Sequence, residues 1–431
     1  MTRRRLLAGV TAAVLVGLAA PAYAAPTSPV PTPTAPRPTS TAASPEAPDP
    51  HPPAGGDGPD GVVPGGPRLA ERGLVLPRGA AALPAARTAK AWVLVDLGRG
   101  TVLAAQDPHG RYQPASVLKT LTALVLLPQL TGREKVPITQ QAADTEGSAV
   151  GLVPGGSYSA DILLRAMLMV SGNDATEALV GAAGGDDAVV TAMNSTIRGL
   201  GGQDTEASTP TGLDDWDQLT SAYDLALVLR AAVADARLLT YDATRRALLP
   251  AQTVKKNGQP VGTIEMDNQS GDFLDTYPGA LFAKTGFTDA ARHTFLAAAR
   301  RGDTTLGVVY LRAERTPVDQ WQQASALLDW GFRRPHTADA AVGTLDDPAA
   351  LAARAATAAV ASAAASASAA ADAAAEAAAS PTPDEPANGR GLAAGVGHSG
   401  SPPVAPLVYA GVVLLFVLAF ARLERRRRRR R

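Results

Sequence analysis

The 431-residue chain contains no cysteine, so neither disulfide staples nor thiolate metal sites are open to it. An exported fold made from it must rest on its own hydrophobic core. Histidine is scarce, with five in all; His51 and His398 fall in low-complexity sequence, and His109, His293 and His336 show no ligand spacing. A His-based triad or metal centre therefore lacks support, and lone core or surface histidines are the expectation. Lysine is scarce too, with six beside 34 arginines. Arginine stays protonated at any working pH, whereas a buried lysine can shed its proton and act as a base. Two of the six lie in short signatures, Ser116-Val117-Leu118-Lys119 and Lys284-Thr285-Gly286, with Ser171-Gly172-Asn173 between them.

The ends carry export and membrane signals. Arg3 to Arg5, an apolar run over residues 6–20 and Ala22-Tyr23-Ala24 form a secretory signal, so residues 1–24 are expected to be removed. Residues 404–421 are almost wholly apolar and precede seven consecutive arginines, which predicts a transmembrane helix with a basic cytoplasmic tail over 422–431. The body then lies outside the cell membrane. Setting aside the eleven terminal arginines leaves 29 basic residues, against 39 acidic once Glu424 is also set aside. An acidic body argues against nucleic acid as a partner.

Residues 25–87 are Pro-, Thr- and Ala-rich and read as a disordered linker; residues 335–403 read as an Ala/Ser/Pro-rich spacer, with helix and tether both open for its alanine part. Residues 88–334 have the composition of one folded domain. Residues 91–96 and 101–104 predict a β-hairpin, and residues 116–127, 161–170, 187–200, 222–233 and 320–332 predict helices. Strands are expected over 281–288, 293–299 and 305–311. Early and late strands joined in one antiparallel sheet, with helices inserted between, make an α+β fold.

A serine hydroxyl needs a base before it attacks. On a helix starting near Ser116, Lys119 at i+3 shares its face and can take that proton. Ser171 can relay a proton between Lys119 and a leaving amine, and Asn173 can orient the lysine. Lys284 and Thr285 can bind a substrate carboxylate, and Gly286 admits a close backbone approach. Each signature alone is weak: S-x-x-K recurs by chance, Ser171-Gly172-Asn173 also reads as a turn, and a lone K-T-G is unremarkable. Their common order in a lysine-poor chain points to acyl transfer through serine.

These residues closely resemble the D-alanyl-D-alanine carboxypeptidases, the low-molecular-weight penicillin-binding proteins of the S11 type. Pro114-Ala115-Ser116-Val117-Leu118-Lys119 is similar to that family's first motif, Thr209-Pro210-Thr211-Gly212-Leu213 to its loop ending in G-L, and Tyr277-Pro278-Gly279 to the approach to its third motif. Leu327-Leu328-Asp329-Trp330-Gly331-Phe332 is similar to its closing helix, so the resemblance spans residues 88–332. It implies a serine β-lactamase/DD-peptidase-like fold and catalysis by Ser116, Lys119 and Ser171. It also implies substrate binding by Asn173, Lys284, Thr285, Gly286 and Phe287, with the backbone N–H groups of Ser116 and Phe287 as oxyanion hole. The implied partners are a peptidoglycan stem peptide ending in D-Ala-D-Ala and β-lactam antibiotics, with no cofactor or metal. Leu118 stands where a polar residue is usual, Arg292 replaces a common glycine and is expected to crowd or recharge the mouth of the site, and Gln320 stands where an arginine usually binds the terminal carboxylate. Arg315 or Arg312 are the replacements to consider. A catalytically weak wall-binding protein, a transpeptidase or endopeptidase, and a β-lactamase are the alternatives, the last lacking a suitably placed Glu-x-x-x-Asn.

Overall fold

The sequence Ala91-Trp92-Val93-Leu94-Val95 offers no polar face, so a strand made from it has to be covered on both sides. The computed structural model describes residues 62–379 apart from 253, 254, 257, 258, 261, 338 and 339. It opens with β1 (Leu74–Val75), β2 (Ala91–Asp96) and β3 (Thr101–Gln106). Helices follow: α1 (Lys119–Leu126), α2 (Ala160–Met169), α3 (Asn173–Ala182), α4 (Asp186–Leu200), α5 (Ala222–Ala234) and α6 (Ala236–Asp242). The chain then returns to strands β4 (Ala280–Thr288), β5 (Arg292–Arg301) and β6 (Thr304–Ala313). Helix α7 (Gln320–Phe332), β7 (Gly343–Thr344) and α8 (Pro348–Ala379) complete it.

The main sheet is antiparallel in the order β1-β3-β2-β6-β5-β4, with β7 pairing the outer part of β3. The expected α+β architecture, early and late strands in one sheet with helices inserted between, is what the structure has. All six residues of β2 are buried, and their alternation divides them between two cores. Trp92 and Leu94 join Phe295, Leu306, Val308 and Tyr310 beneath Leu327 and Leu328 of α7. Val93 and Val95 join Leu296, Val309 and Leu311 on the face covered by the inserted helices. Asp319 and Gln322 form a reciprocal capping box that fixes where α7 starts, at the end of the sheet occupied by β4 and β5. Strand β4 carries the third signature on the open edge of the sheet, and α1 carries the first.

Two expected boundaries move. The linker expected to reach residue 87 is folded from residue 62: a 3-10 turn, Pro67–Ala70, and β1 are in place, with Leu69 and Val75 fully buried in the core. Apolar side chains scattered among its prolines, glycines and alanines anchor it: Leu69 and Val75 lie in the core, and Val63, Leu76, Ala80 and Leu83 pack against it in part. At the other end β7 with buried Val342 and Leu345 extends the body past residue 334. Beyond it the alanine-rich sequence is helical as α8, which runs from this unit into a second one beginning at Ala363. The expected export signal, the expected span over 404–421 and the basic tail lie outside the described residues, among which no helix is long and apolar enough to cross a membrane.

A chain beginning at Thr88 therefore loses the burial of Leu69 and Val75. At roughly 1.5–3 kcal/mol per buried aliphatic side chain, it is expected to be less stable by about 3–6 kcal/mol in urea unfolding. An unchanged midpoint would contradict the assignment of residues 62–87 to the body.

Candidate active site

The turn that presents Ser116 is held in an unfavourable backbone conformation. Ala115 sits at φ 48°, in the left-handed region that non-glycine residues avoid, and the chain then enters a 3-10 turn, Ala115–Leu118, continuous with α1. Two glycines clamp this turn. A Cβ on Gly212 would lie 2.1 Å from the Ala115 carbonyl oxygen, and one on Gly286 would lie 2.8 Å from the Ser116 amide nitrogen. Thr294 adds a hydrogen bond from its hydroxyl to the Pro114 carbonyl, 2.9 Å away. The loop of Gly212 and the strand of Gly286 thus pin Ser116 from two directions, and Phe287 follows directly on β4.

Lys119 is fully buried and its Nζ touches three oxygens: Ser116 Oγ at 3.0 Å, Asn173 Oδ1 at 2.6 Å and the Thr211 carbonyl. Burial, reinforced by the positive field of Lys284 and only partly opposed by Glu177, holds its pKa well below that of an ordinary lysine. An uncharged amine has two hydrogens and one lone pair. The Thr211 carbonyl can only accept, and so can Asn173 Oδ1, whose orientation is set because Asn173 Nδ2 donates to the Glu146 carbonyl. Both hydrogens are therefore used, and the lone pair is left for the Ser116 hydroxyl.

Asn173 opens α3 two residues after Ser171, which sits at φ 61°, with Gly172 between them as the N-cap. Its neighbour Asp174 is fully buried and accepts hydrogen bonds from the backbone N–H groups of Val150, Gly151, Leu152 and Ala175. That carboxylate ties the loop supplying the Glu146 carbonyl to the helix supplying Asn173. Ser171 Oγ accepts a hydrogen bond from Lys284 Nζ at 3.0 Å.

Lys284 is buried and its pKa is lowered to about 8 by burial, against the opposing field of Asp242. Asp242, at the end of α6, accepts the Ala283 N–H at 2.8 Å and is itself pushed up to about 7 by burial. Thr285 Oγ1 meets Gln320 Nε2 at 3.4 Å. Arg292 is ion-paired, its guanidinium making bonds of 2.9 and 3.0 Å to both oxygens of Glu314, and it also lies over the Phe287 ring, 5.5 Å from its centroid. Arg315 is similarly bound to Asp319 at 2.6 Å.

The structure thus brings Ser116, Lys119 and Asn173 into one hydrogen-bonded group and Ser171 and Lys284 into another, with Thr285 and Gly286 on the same strand as Lys284. Sequence reasoning missed the carbonyls of Thr211 and Glu146, which have no side-chain signature, and also Asp174 and Asp242. An acidic residue beside a helix start was the one available sign for Asp174.

Known proteins are similar to this chain in sequence and fold. The family model described as D-alanyl-D-alanine carboxypeptidase, peptidase S11, matches residues 79–315. D-alanyl-D-alanine carboxypeptidase DacB2 of Mycobacterium tuberculosis is 38% identical over 262 residues, covering 60% of this chain and 87% of the relative. DacA of Escherichia coli is 32% identical over 257 residues, 57% of this chain and 61% of DacA's length, so this chain leaves more than a third of that relative unmatched. Among solved structures, a D-alanyl-D-alanine carboxypeptidase of M. tuberculosis H37Rv aligns with a TM-score of 0.58 at 37% identity over 63% of this chain and all of its own. A variant of the Streptomyces K15 DD-transpeptidase aligns with a TM-score of 0.54 at 25% identity, over 59% of this chain and all of its own.

The clamp predicts the cost of a methyl group. Gly212→Ala combines a positive φ of 82° with a backbone clash and is expected to destabilise the fold by roughly 2–4 kcal/mol in urea unfolding. A change below about 0.5 kcal/mol, within the range of ordinary surface substitutions, would show that the loop yields freely.

Proposed function

This chain belongs to the S11 peptidase family of D-alanyl-D-alanine carboxypeptidases, and on that footing we propose that it removes the terminal D-alanine from peptidoglycan stem peptides through an acyl-enzyme on Ser116. The observation that carries this reading is the buried Lys119 amine, whose hydrogens are engaged by Asn173 and Thr211 while Ser116 Oγ lies 3.0 Å away.

Lys119 takes the Ser116 proton as Oγ attacks the carbonyl of the penultimate D-alanine. The negative charge that develops on that oxygen is met by the N–H groups of Ser116 and Phe287. The carbon–nitrogen bond then breaks as Lys119 gives its proton, by way of the Ser171 hydroxyl, to the departing D-alanine amine, which leaves Lys119 neutral and Lys284, hydrogen-bonded to Ser171 Oγ, still charged. Water hydrolyses the ester with Lys119 again as base, restoring Ser116. The charged Lys284, with Thr285, binds the substrate at the edge of the sheet, where β4 leaves one side open to an extended peptide. A β-lactam presents a strained amide to the same hydroxyl and acylates it. The sequence signals at the two ends belong to the same proposal: an exported body held to the membrane by residues 404–421, facing its wall substrate.

A fluorescent penicillin is expected to label the protein covalently, with the label abolished in Ser116→Ala. Free D-alanine should be released from an acyl-D-Ala-D-Ala peptide; labelling without release would leave a penicillin-binding shell. Lys119→Arg keeps charge and loses the base, so acylation should fall by roughly 10²–10⁴-fold. Unchanged acylation would remove Lys119 as proton acceptor.

The acylation rate should also be bell-shaped in pH. Lys119 acts as free base, so activity is present above its pKa and lost as pH falls through it. Lys284 acts charged, so activity is present below a pKa of about 8 and lost as pH rises through it. A rate that keeps climbing well above that value would contradict the charged role of Lys284.

A further inference from the structure

His109 has no part in the proposed reaction, yet it is buried with each ring nitrogen facing an oxygen that accepts: Nδ1 lies 2.7 Å from Asp204 Oδ2, and Nε2 lies 3.1 Å from the Pro64 carbonyl. Turning the ring over would set carbons against both oxygens, so the two contacts together fix its orientation. A neutral imidazole carries one N–H and satisfies one of them. The imidazolium satisfies both. The other oxygen of Asp204 faces the Arg111 guanidinium at 3.7 Å, so the proton between ring and carboxylate belongs to the ring.

The two oxygens come from different parts of the chain. Pro64 lies in the N-terminal segment, where the next residue, Gly65, accepts the Thr344 N–H of β7 on its carbonyl. Asp204 lies at the start of the loop that continues to Thr211 and Gly212. The other titratable groups around the ring are themselves held. Asp224 of α5 accepts the N–H groups of Gln203, Asp204 and Thr205 and the Thr205 hydroxyl, and burial with the Asp204 charge pushes its pKa up to about 6. Tyr223 of α5, its ring centroid 4.7 Å from that of His109, is kept neutral by burial, and its hydroxyl accepts the Asp346 N–H. Asp107, in the turn before His109, is held by Tyr112 and Arg72. Burial alone would lower the pKa of His109, but the bond and charge of Asp204, joined by the charge of Asp224 and the Pro64 carbonyl, raise it overall.

We propose that His109 is a pH-operated clasp for the N-terminal segment: as imidazolium it holds Pro64 and Asp204 together, and on losing its Nε2 proton it releases Pro64 and keeps Asp204. The Nδ1 proton is held by a carboxylate and the Nε2 proton by a neutral carbonyl at longer range, so the second is the one to leave. A lone pair then faces the Pro64 oxygen and the two separate. Since the folded-state pKa is raised, the attachment is complete below the ordinary histidine value and is lost as pH rises through the raised one. Leu69 and Val75 stay in the core, so the release is confined to the first residues of the segment.

The test is NMR of the full chain with ¹⁵N-labelled histidine, the His109 ring being assigned among the five histidines by its loss in His109→Gln or its displacement in Asp204→Asn. Both ring nitrogens should stay protonated up to a midpoint above about 6.5, and the neutral ring beyond it should keep its proton on Nδ1, the less common tautomer of free histidine. The Gly65 amide, selected by ¹³C-carbonyl proline with ¹⁵N glycine, should shift with the same midpoint and should stay still in His109→Gln. Asp204→Asn keeps an acceptor and removes the charge, so it should lower the midpoint by about one unit or more. A midpoint at or below about 6.5, a neutral ring protonated at Nε2, or a Gly65 amide that does not follow the ring overturns the clasp.

Discussion

One lone pair organises this site. The Lys119 amine is surrounded by oxygens that can only accept, and its two hydrogens are committed to Asn173 and Thr211, so what remains faces the Ser116 hydroxyl. Protonation would give Nζ a third hydrogen for that hydroxyl and remove the base, while leaving a charge in a fully buried place with Lys284 in the same electrostatic field. Burial and a neighbouring cation therefore act in the same direction as the hydrogen-bond geometry. The fold supplies both by placing α1 at the centre of the molecule, with α3 and the loop of Thr211 against its first turn.

The rest of the architecture keeps that geometry from relaxing. Ala115 holds a left-handed conformation because Gly212 and Gly286 leave no space on either side, and Thr294 secures the carbonyl before it. Asp174 fastens the loop that orients the Asn173 amide, and that amide orients Lys119. Asp242 fastens β4 just before Lys284. Strand β4 in turn rests on β5 and β6, whose two buried faces make them a rigid support. Polar groups set the positions of reacting atoms, and the double-sided core keeps those polar groups dry.

Legibility in the sequence followed the range of the interaction. Ser116 and Lys119 are three residues apart on one helical face, so their contact could be read directly, and the hairpin, late strands and closing helix were plain from their apolar patterns. Helix α3 was hidden because Ser171-Gly172-Asn173 has the composition of a turn, which it is, but a turn that immediately starts a helix. The N-terminal stretch looked unfolded because its few core-facing side chains, with Leu69 and Val75 fully buried and Val63, Leu76 and Leu83 partly so, are scattered among prolines and glycines without a periodic pattern. His109, read as a lone histidine, is buried with its Nδ1 2.7 Å from Asp204, a partner 95 residues away that no local pattern announces. Backbone carbonyls such as those of Thr211 and Glu146 could not be read at all, since their role depends on where the chain passes rather than on residue type.

With only six lysines, the side-chain nitrogen of Lys119 can be observed by itself in a ¹⁵N-labelled protein, assigned by its loss in Lys119→Arg. Titrated by NMR, it should show the chemical shift of a neutral amine at pH values where the exposed lysines are still ammonium ions. If it remained an ammonium ion until about pH 10, with the others, the central claim would be wrong.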